Sequence, residues 1–445
     1  AVGVWDRLWW RARTRNPLRS YARWLDRYAR VDDELRWAIR EQTATLPYRP
    51  LLSIVMPTYN SPERWLRRAL DSVLAQHYPH WELCVADDAS TLLHVREVLQ
   101  EYAARDPRVR LAFRERQGHI SAASNSALAL ATGEFVALLD HDDELAEHAL
   151  FLVAKYLNER PDADLLYSDE DKITEAGVRF DAYFKPDWNP DLLLSHNCFS
   201  HLGIYRTALL RRIGGFREGL EGSQDWDLAL RAAAASAPER IVHIPHVLYH
   251  WRVVSGSAAT GASAKPYAVD AAHRAIEDHL AARGVAAGVE QVTVGAASLF
   301  RVAYRLPEPE PRVLLVIAAR GGAGRLHATL TGVRDGTHYG AVDLVVALPA
   351  AASGPERETL AAAARAAGVP AWEGPDDAAA FTAWLLGRGE HGVIVFLDAR
   401  LAPSSPAWLT ELVAQATRPE VGAVGARLSH PDGAVHHAGL VIGLE

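Results

Sequence analysis

Four short, nearly continuous apolar runs, LLSIVMPTY, ELCVAD, VRLAFR and FVALLD, alternate with segments whose apolar residues recur at helical spacing. A strand that is apolar on both faces must be covered on both faces. The alternation therefore predicts a mainly parallel sheet between helix layers, an open α/β sandwich. Ser61 and Pro62 open a helix whose Leu66, Leu70, Val73 and Leu74 share one face, a helix over 93–104 precedes VRLAFR, and another over about 120–132 stops at Gly133. In such sheets ligands sit beyond the carboxyl ends of the strands, so polar residues there are the candidates for chemistry.

The pattern runs from about residue 48 to 305 and breaks at LPEPEPR, 306–312, which reads as a stiff linker. Beyond it VLLVIAA, VDLVVALP and VIVFLDA are strand-like, with Ala-rich helices near 356–367 and 377–387. The expected organisation is an N-terminal helical extension over 1–46, an α/β domain over 47–305, the linker, and a second domain over 313–445.

Composition narrows the class. The 445 residues are 49% hydrophobic and 23% charged with a formal charge of −8, so the chain folds and nothing global draws it to nucleic acid. Its two cysteines, Cys84 and Cys198, have no CxxC spacing, which argues against a disulfide framework or zinc cluster and fits a reducing, cytoplasmic setting. No run of 18 apolar residues is present, so a membrane span is not expected. The sole methionine is Met56, so Ala1 is not an initiator and the chain reads as a processed or truncated piece. Residues 1–30 hold eight Arg and two Asp. Asn16 and Pro17 read as N-cap and first helical residue, followed by Leu18, Tyr21, Leu25 and Tyr28 at helical spacing; Trp5, Leu8, Trp9 and Ala12 form a similar stripe. Such a helix either lies on an anionic membrane face, a peripheral contact at the inner membrane, or packs on the next domain with its arginines solvated.

Asp140, His141, Asp142 and Asp143 follow FVALLD. Hard cations such as Mg²⁺ or Mn²⁺ take one or two such carboxylates and leave positions for diphosphate oxygens; an acidic loop would look alike. Thr58, Tyr59 and Asn60 end the first run, and Asp87, Asp88 and Ser90 end the second. A ring and a carboxylate on adjoining strand ends suit a flat heterocycle, while either aspartate also suits a helix cap. Asp225 and Asp227 open the periodic segment SQDWDLALR, where a carboxylate acts as a general base or stabilises the helix start.

In order, SIVMPTYN, VADDAS, QGHISAASNSALALATGEFVALLDHDD, GGF and GSQDWDLALR resemble the signatures of glycosyltransferase family 2, whose catalytic domains have the GT-A fold. YSDEDKI and YFKPDWNPDLLL are similar to a subgroup of bacterial O-antigen and surface-polysaccharide clusters that includes rhamnosyltransferases. The match covers roughly 50–260. The resemblance implies an inverting, metal-dependent transfer from a nucleoside diphosphate sugar to a saccharide or lipid-linked saccharide, with Mn²⁺ or Mg²⁺ as cofactor. It places Pro57, Thr58, Tyr59, Asp87, Asp88, Asn125 and Asp140 at the nucleotide, Asp140 and Asp142 as the DxD pair with Asp142 the direct ligand, and Asp225 as the catalytic base. His250 matches a region where some relatives supply a metal or diphosphate contact. Gln224 stands where glutamate is usual beside the base. Arg114, Arg116, Lys185 and Arg252 are diphosphate partners or structural cations, and Trp188 and Trp251 sugar platforms or core. No QxxRW sequence of the processive synthases is present, which favours addition of one or a few sugars.

HYPHWELCVADD at 77–88 aligns without gaps with HYGAVDLVVALP at 338–349, replacing Asp87 and Asp88 by Leu348 and Pro349. FVALLDHDD likewise pairs with VIVFLDARL, where Asp140 becomes Asp398 and Asp142 becomes Arg400. A guanidinium cannot ligate a cation, so the second half reads as an incomplete GT-A-like domain without the chemistry. The rival to an enzyme is a noncatalytic scaffold or carbohydrate-binding subunit of a polysaccharide assembly complex.

Overall fold

The computed structural model describes residues 17–254, 266–294, 297–349, 351–374 and 377–438. It divides into two compact units, one built from the chain up to Gly284 with Val289–Val302, the other chiefly from Ala303 onward.

The first unit is a mixed α/β fold around one sheet. Strands β1 (Leu52–Thr58), β2 (Trp81–Asp87), β3 (Val109–Phe113), β4 (Phe135–Leu138), β5 (Glu144–Leu145), β6 (Leu165–Ile173), β7 (Arg179–Tyr183), β8 (Gly203–Arg206) and β9 (Ile241–Arg252) lie in the order β3-β2-β1-β4-β8-β6-β9-β5, with β7 on β6. Every residue of β1 and β2 is buried, as their apolar runs require. Helices Glu63–Leu74 and Leu93–Arg105 bury Leu66, Leu70, Val73, Val95 and Leu99 in the same core as Ile54, Met56 and Leu83.

The run from β3 to β4 is all parallel, and the rest of the sheet is mixed. β8 pairs antiparallel with both β4 and β6, β6 is parallel to β9, and β5 and β7 are antiparallel to β9 and β6. The reversal at β4 matters for function. It leaves the carboxyl ends of β1, β2 and β4 together, with Thr58 opposite Asp87 and Val55 opposite Leu138, facing segments from the antiparallel half.

The helix Pro17–Tyr28 packs its aromatic side on β7 and the turn after it. The Trp24 and Phe184 rings meet edge to face at 4.9 Å, and Tyr21 Oη donates to Asp171 Oδ2 at 2.7 Å. Of the two readings of the basic extension, packing describes this helix; Trp5, Leu8, Trp9, Ala12 and Asn16 lie outside the described residues. The next helix, Asp33–Thr45, is capped by Asp32 on the Leu35 N–H at 3.0 Å, and its Arg36 grips Glu147 through two hydrogen bonds of 3.0 and 2.9 Å. Among the described residues no helix is long and apolar enough to cross a membrane.

Two strands, β10 (Ala287–Val294) and β11 (Ala297–Tyr304), pair with each other. The second unit carries β12 (Val313–Ala318), β13 (Val342–Ala347), β14 (Ala371–Trp372) and β15 (Val393–Asp398) in the all-parallel order β14-β13-β12-β15. That order repeats β3-β2-β1-β4, and the register repeats too. Val313 pairs with Val342 and Val393 as Leu52 pairs with Trp81 and Phe135.

Candidate functional site

Two adjoining cavities open at the carboxyl ends of β1 and β4. One, about 840 Å³, is lined by Thr58, Tyr59, Asp88, Gln117, His119 and His141 among others. The other, about 590 Å³, is lined by Asn197, His201, Asp225 and Trp251 among others. Pro57, Ile120, Asp140, Gly222 and Gln224 border both, so Asp140 stands at the passage between them.

The larger cavity sets an exposed tyrosine beside a fixed carboxylate. Asn60 Oδ1 accepts from the Thr91 and Leu92 N–H groups at 2.8 and 3.1 Å, tying the loops after β1 and β2 together and leaving the neighbouring Tyr59 ring 38% exposed. Thr58 is buried, its hydroxyl bonded to Ser61 at 2.7 Å, so it shapes this wall rather than offering a free hydroxyl. Of the two aspartates, it is Asp88 that borders the cavity, fixed by the Gly118 N–H at 3.0 and 3.1 Å and by Arg114 Nε at 2.8 Å. Asp87 is buried and accepts from the Ser90 N–H at 3.2 Å, and among the described residues its Oδ1 has no hydrogen-bond partner.

Asn125 lines neither cavity. Its amide donates to Phe216 O at 2.8 Å and accepts from Phe216 N–H at 2.9 Å, so both ends of the side chain clip the GGF turn.

The acidic turn separates its carboxylates. The Asp143 N–H bonds back to Asp140 O at 3.3 Å, making Asp140 and Asp143 the outer residues of a tight turn and His141 and Asp142 its tip. The group whose ligand atoms converge within 4.8 Å is accordingly Asp140, Asp143 and His201, without Asp142. His250 is also outside this group, and its Nδ1 bonds Asp171 Oδ1 at 2.6 Å.

This group calls for positive charge. Burial raises the Asp143 carboxyl well above its ordinary range, and the neighbouring Asp142 and Asp140 charges raise it further. Asp143 is held by Tyr249 Oη and the Arg252 N–H, both at 2.6 Å. Burial opposes charge on His201 too, yet Asp140 at 3.8 Å and Glu170 at 3.4 Å outweigh it and raise the imidazole well above its usual value. Burial likewise opposes ionisation of Asp140, but His201 holds it below the usual carboxylate value. Two carboxylates and an imidazole with ligand atoms this close fit a divalent cation, which would displace the imidazole proton.

Asp225 lies in the first turn of the helix Gln224–Ala234, and Asn197 Nδ2 donates to its Oδ2 at 2.7 Å. Its partly buried position raises the carboxyl above its ordinary value; His201 opposes the rise and Asp140 adds to it. Asp227 is different: buried, and clamped by Arg217 at 2.5 Å and Arg231 at 2.8 Å, it is a structural acid.

Lys185 and Arg252 are engaged within the fold as well. Lys185 Nζ is buried against Glu170, Phe199 O and His201 O at 3.1, 3.2 and 2.6 Å. Arg252 binds Glu144 and Asp142 O and lies over the Trp65 ring. Arg116 is exposed and lines neither cavity. His201 and Asn197, both in SHNCFSH, were missed by sequence reasoning because no strand-end position or periodicity marks that loop.

Residues 53–214 match the family model described as glycosyl transferase family 2. An uncharacterized protein, y4gI, of Sinorhizobium fredii is 42% identical over 409 residues, 91% of this chain and 45% of the relative. The O-antigen biosynthesis protein RfbC of Myxococcus xanthus is 35% identical over 411 residues, 92% of this chain and 32% of the relative. The chain thus spans less than half the length of each. Among solved structures, S. aureus TarS 1-349 in complex with UDP-GlcNAc is similar at 25% identity over 52% of this chain and 66% of that one, with a TM-score of 0.43.

Proposed function

The chain carries a glycosyl transferase family 2 domain, and from that premise we propose that it transfers a sugar from a nucleoside diphosphate donor to a saccharide or lipid-linked saccharide acceptor in bacterial surface-polysaccharide synthesis, with inversion at the anomeric carbon. One observation carries the reading. Asp140 and Asp225, 85 residues apart in sequence, border one cavity, and Asp140 also borders the adjoining chamber with Tyr59 and Asp88.

In this reading Tyr59 stacks on the base and Asp88 accepts its imino hydrogen, with Pro57 and Thr58 shaping the wall. Asp140, Asp143 and His201 would hold a divalent cation, Mn²⁺ or Mg²⁺, which would supply charge to offset that growing on the diphosphate leaving group. Asp225, kept ionised and oriented by Asn197, takes the proton of the acceptor hydroxyl as that oxygen attacks the sugar carbon from the face opposite the diphosphate. A carboxyl raised above its ordinary value is the stronger base for that step.

The name of the Myxococcus xanthus relative supports the polysaccharide setting. The test is a panel of nucleotide sugars with Mn²⁺, reading nucleotide release and product with the unaltered chain and with Asp225→Asn. The expected result is donor binding in both and transfer only in the first. A chain that binds no nucleotide with Mn²⁺ present, or an Asp225→Asn variant with full transfer, overturns the reading.

A further inference from the structure

The cavity that holds Asp225 has a second polar wall with no role so far. It is formed where β7, β6 and β9 run side by side. Lys172 is paired with Trp251 in the parallel register of β6 and β9, and its Nζ lies 5.8 Å from the centroid of the Trp251 ring. On its other side Lys172 Nζ donates to Asp181 Oδ2 at 2.6 Å. Asp181 sits where the pairing of β6 and β7 shifts register, with φ +50, a left-handed conformation that aspartate tolerates better than most residues. Its side chain is 62% exposed although it lines the cavity. An aromatic ring, a carboxylate and an ammonium therefore share the wall of the cavity that contains the candidate base.

We infer that Trp251, Lys172 and Asp181 form the acceptor subsite and that it takes an uncharged pyranose unit. The inference rests on the transfer reading above and adds the chemical class of the acceptor. The face of an indole ring is electron-rich and matches the C–H face of a pyranose. The Asp181 carboxylate accepts hydrogen bonds from adjacent hydroxyls and the Lys172 ammonium donates one back, so the two ends of the ion pair suit a diol. Charge on this wall favours a neutral unit. Among the described residues lining this cavity, Asp140, Glu170, Asp171, Asp181 and Asp225 are acidic, Lys172 is the one lysine, and no arginine is present. Lys172 is already paired with Asp181. Glu170 and Asp171 are paired within the fold, and the His201 imidazole lies against Asp140 at the passage to the other chamber, so a uronate against this wall meets the Asp181 carboxylate with its one ammonium already engaged.

Saturation-transfer NMR on the full chain tests this, with methyl α-mannopyranoside, methyl α-glucopyranoside and methyl α-rhamnopyranoside as neutral probes and methyl glucuronide as the charged one. The expected result is saturation of at least one neutral pyranoside and none of the glucuronide, with binding roughly tenfold weaker in Trp251→Ala. Asp181→Asn is the second variant: its exposed position leaves the fold intact, asparagine tolerates the same φ, and it is expected to weaken the same probe. Glucuronide bound as well as the neutral sugars overturns the inference, as does neutral binding unchanged in both variants. Nucleotide binding with Mn²⁺ is measured on the same sample. Nucleotide bound with no pyranoside bound overturns the subsite alone, whereas neither bound overturns the transfer reading with it.

Discussion

Asn197 holds Asp225: the amide donates to Oδ2 at 2.7 Å from a loop 28 residues earlier in the chain. A donor aimed at a carboxylate favours its ionised form, whereas the position of Asp225 raises its carboxyl. The base works only when ionised, so transfer falls as pH drops through the Asp225 value. Asn197→Ala removes a bond to a charged group, worth about 1.5–3 kcal/mol. We expect the acid limb of the kcat profile to move to higher pH and the donor KM to hold. A limb that stays in place contradicts this role for Asn197.

How far the sequence could be read follows from which residues depend on distant partners. β1, β2 and β4 are apolar because they are covered on both faces, so local composition suffices to find them. The gapless pairing of HYPHWELCVADD with HYGAVDLVVALP even anticipates the common register of Trp81 and Val342. β6 is the opposite case. Its Asp169, Glu170 and Asp171 are buried only because Lys185, His243, His250, Arg179 and Tyr21 arrive from elsewhere to bond them, and no hydrophobic pattern announces such a strand. The turn brings its outer residues Asp140 and Asp143 together, and nothing in the local pattern distinguishes Asp143 from Asp142.

Glu170 makes a prediction about acid stability. Burial alone would raise its carboxyl, but Lys185 and His201 outweigh it and hold the group far below its ordinary 4.5. The folded state therefore binds fewer protons than the unfolded state below that value. The contribution is complete above the ordinary glutamate range and is lost as pH falls beneath it. Urea denaturation near pH 7 and near pH 4 is expected to show a smaller acid loss in Glu170→Gln than in the unaltered chain. Lys185→Met leaves Glu170 buried without its cation and is expected to cost about 3–5 kcal/mol near neutral pH.

Tyr21 joins the helix Pro17–Tyr28 to Asp171, a carboxylate that also borders the acceptor cavity. Arg179 and His250 remain on Asp171 when the phenol is removed, so Tyr21→Phe is expected to cost about 1.5 kcal/mol, the lower end for a bond to a charged group. That loss makes the helix open roughly tenfold more often. Faster tryptic cleavage at Arg27 or Arg30, with the rest of the first unit resisting as before, is the expected readout. Cleavage at an unchanged rate contradicts a docking role for this hydroxyl.

The second unit provides the internal comparison for the cation group. Asp398 occupies the register position that leads to Asp140 in the first sheet, but Arg400 binds it through Nε at 2.9 Å and Nη2 at 2.8 Å, with Arg320 at 3.9 Å. The pair is largely solvent-facing, so its stabilisation is small, within about 1 kcal/mol. Its consequence is chemical: the carboxylate that would face a cation is neutralised by its own loop. Leu401 stands where Asp143 stands in the first unit, removing a second oxygen donor. Asp398→Asn is therefore expected to leave both Mn²⁺ stoichiometry and transfer rate unchanged within about twofold, whereas Asp140→Asn removes Mn²⁺ binding. Even Arg400→Asp, which restores the DxD pattern, is expected to bind no additional ion, because Leu401 still supplies no oxygen donor. Titration calorimetry that finds a second Mn²⁺ in the unaltered chain, lost in Asp398→Asn, would show that spacing alone makes the site and that the converging Asp143 and His201 do not.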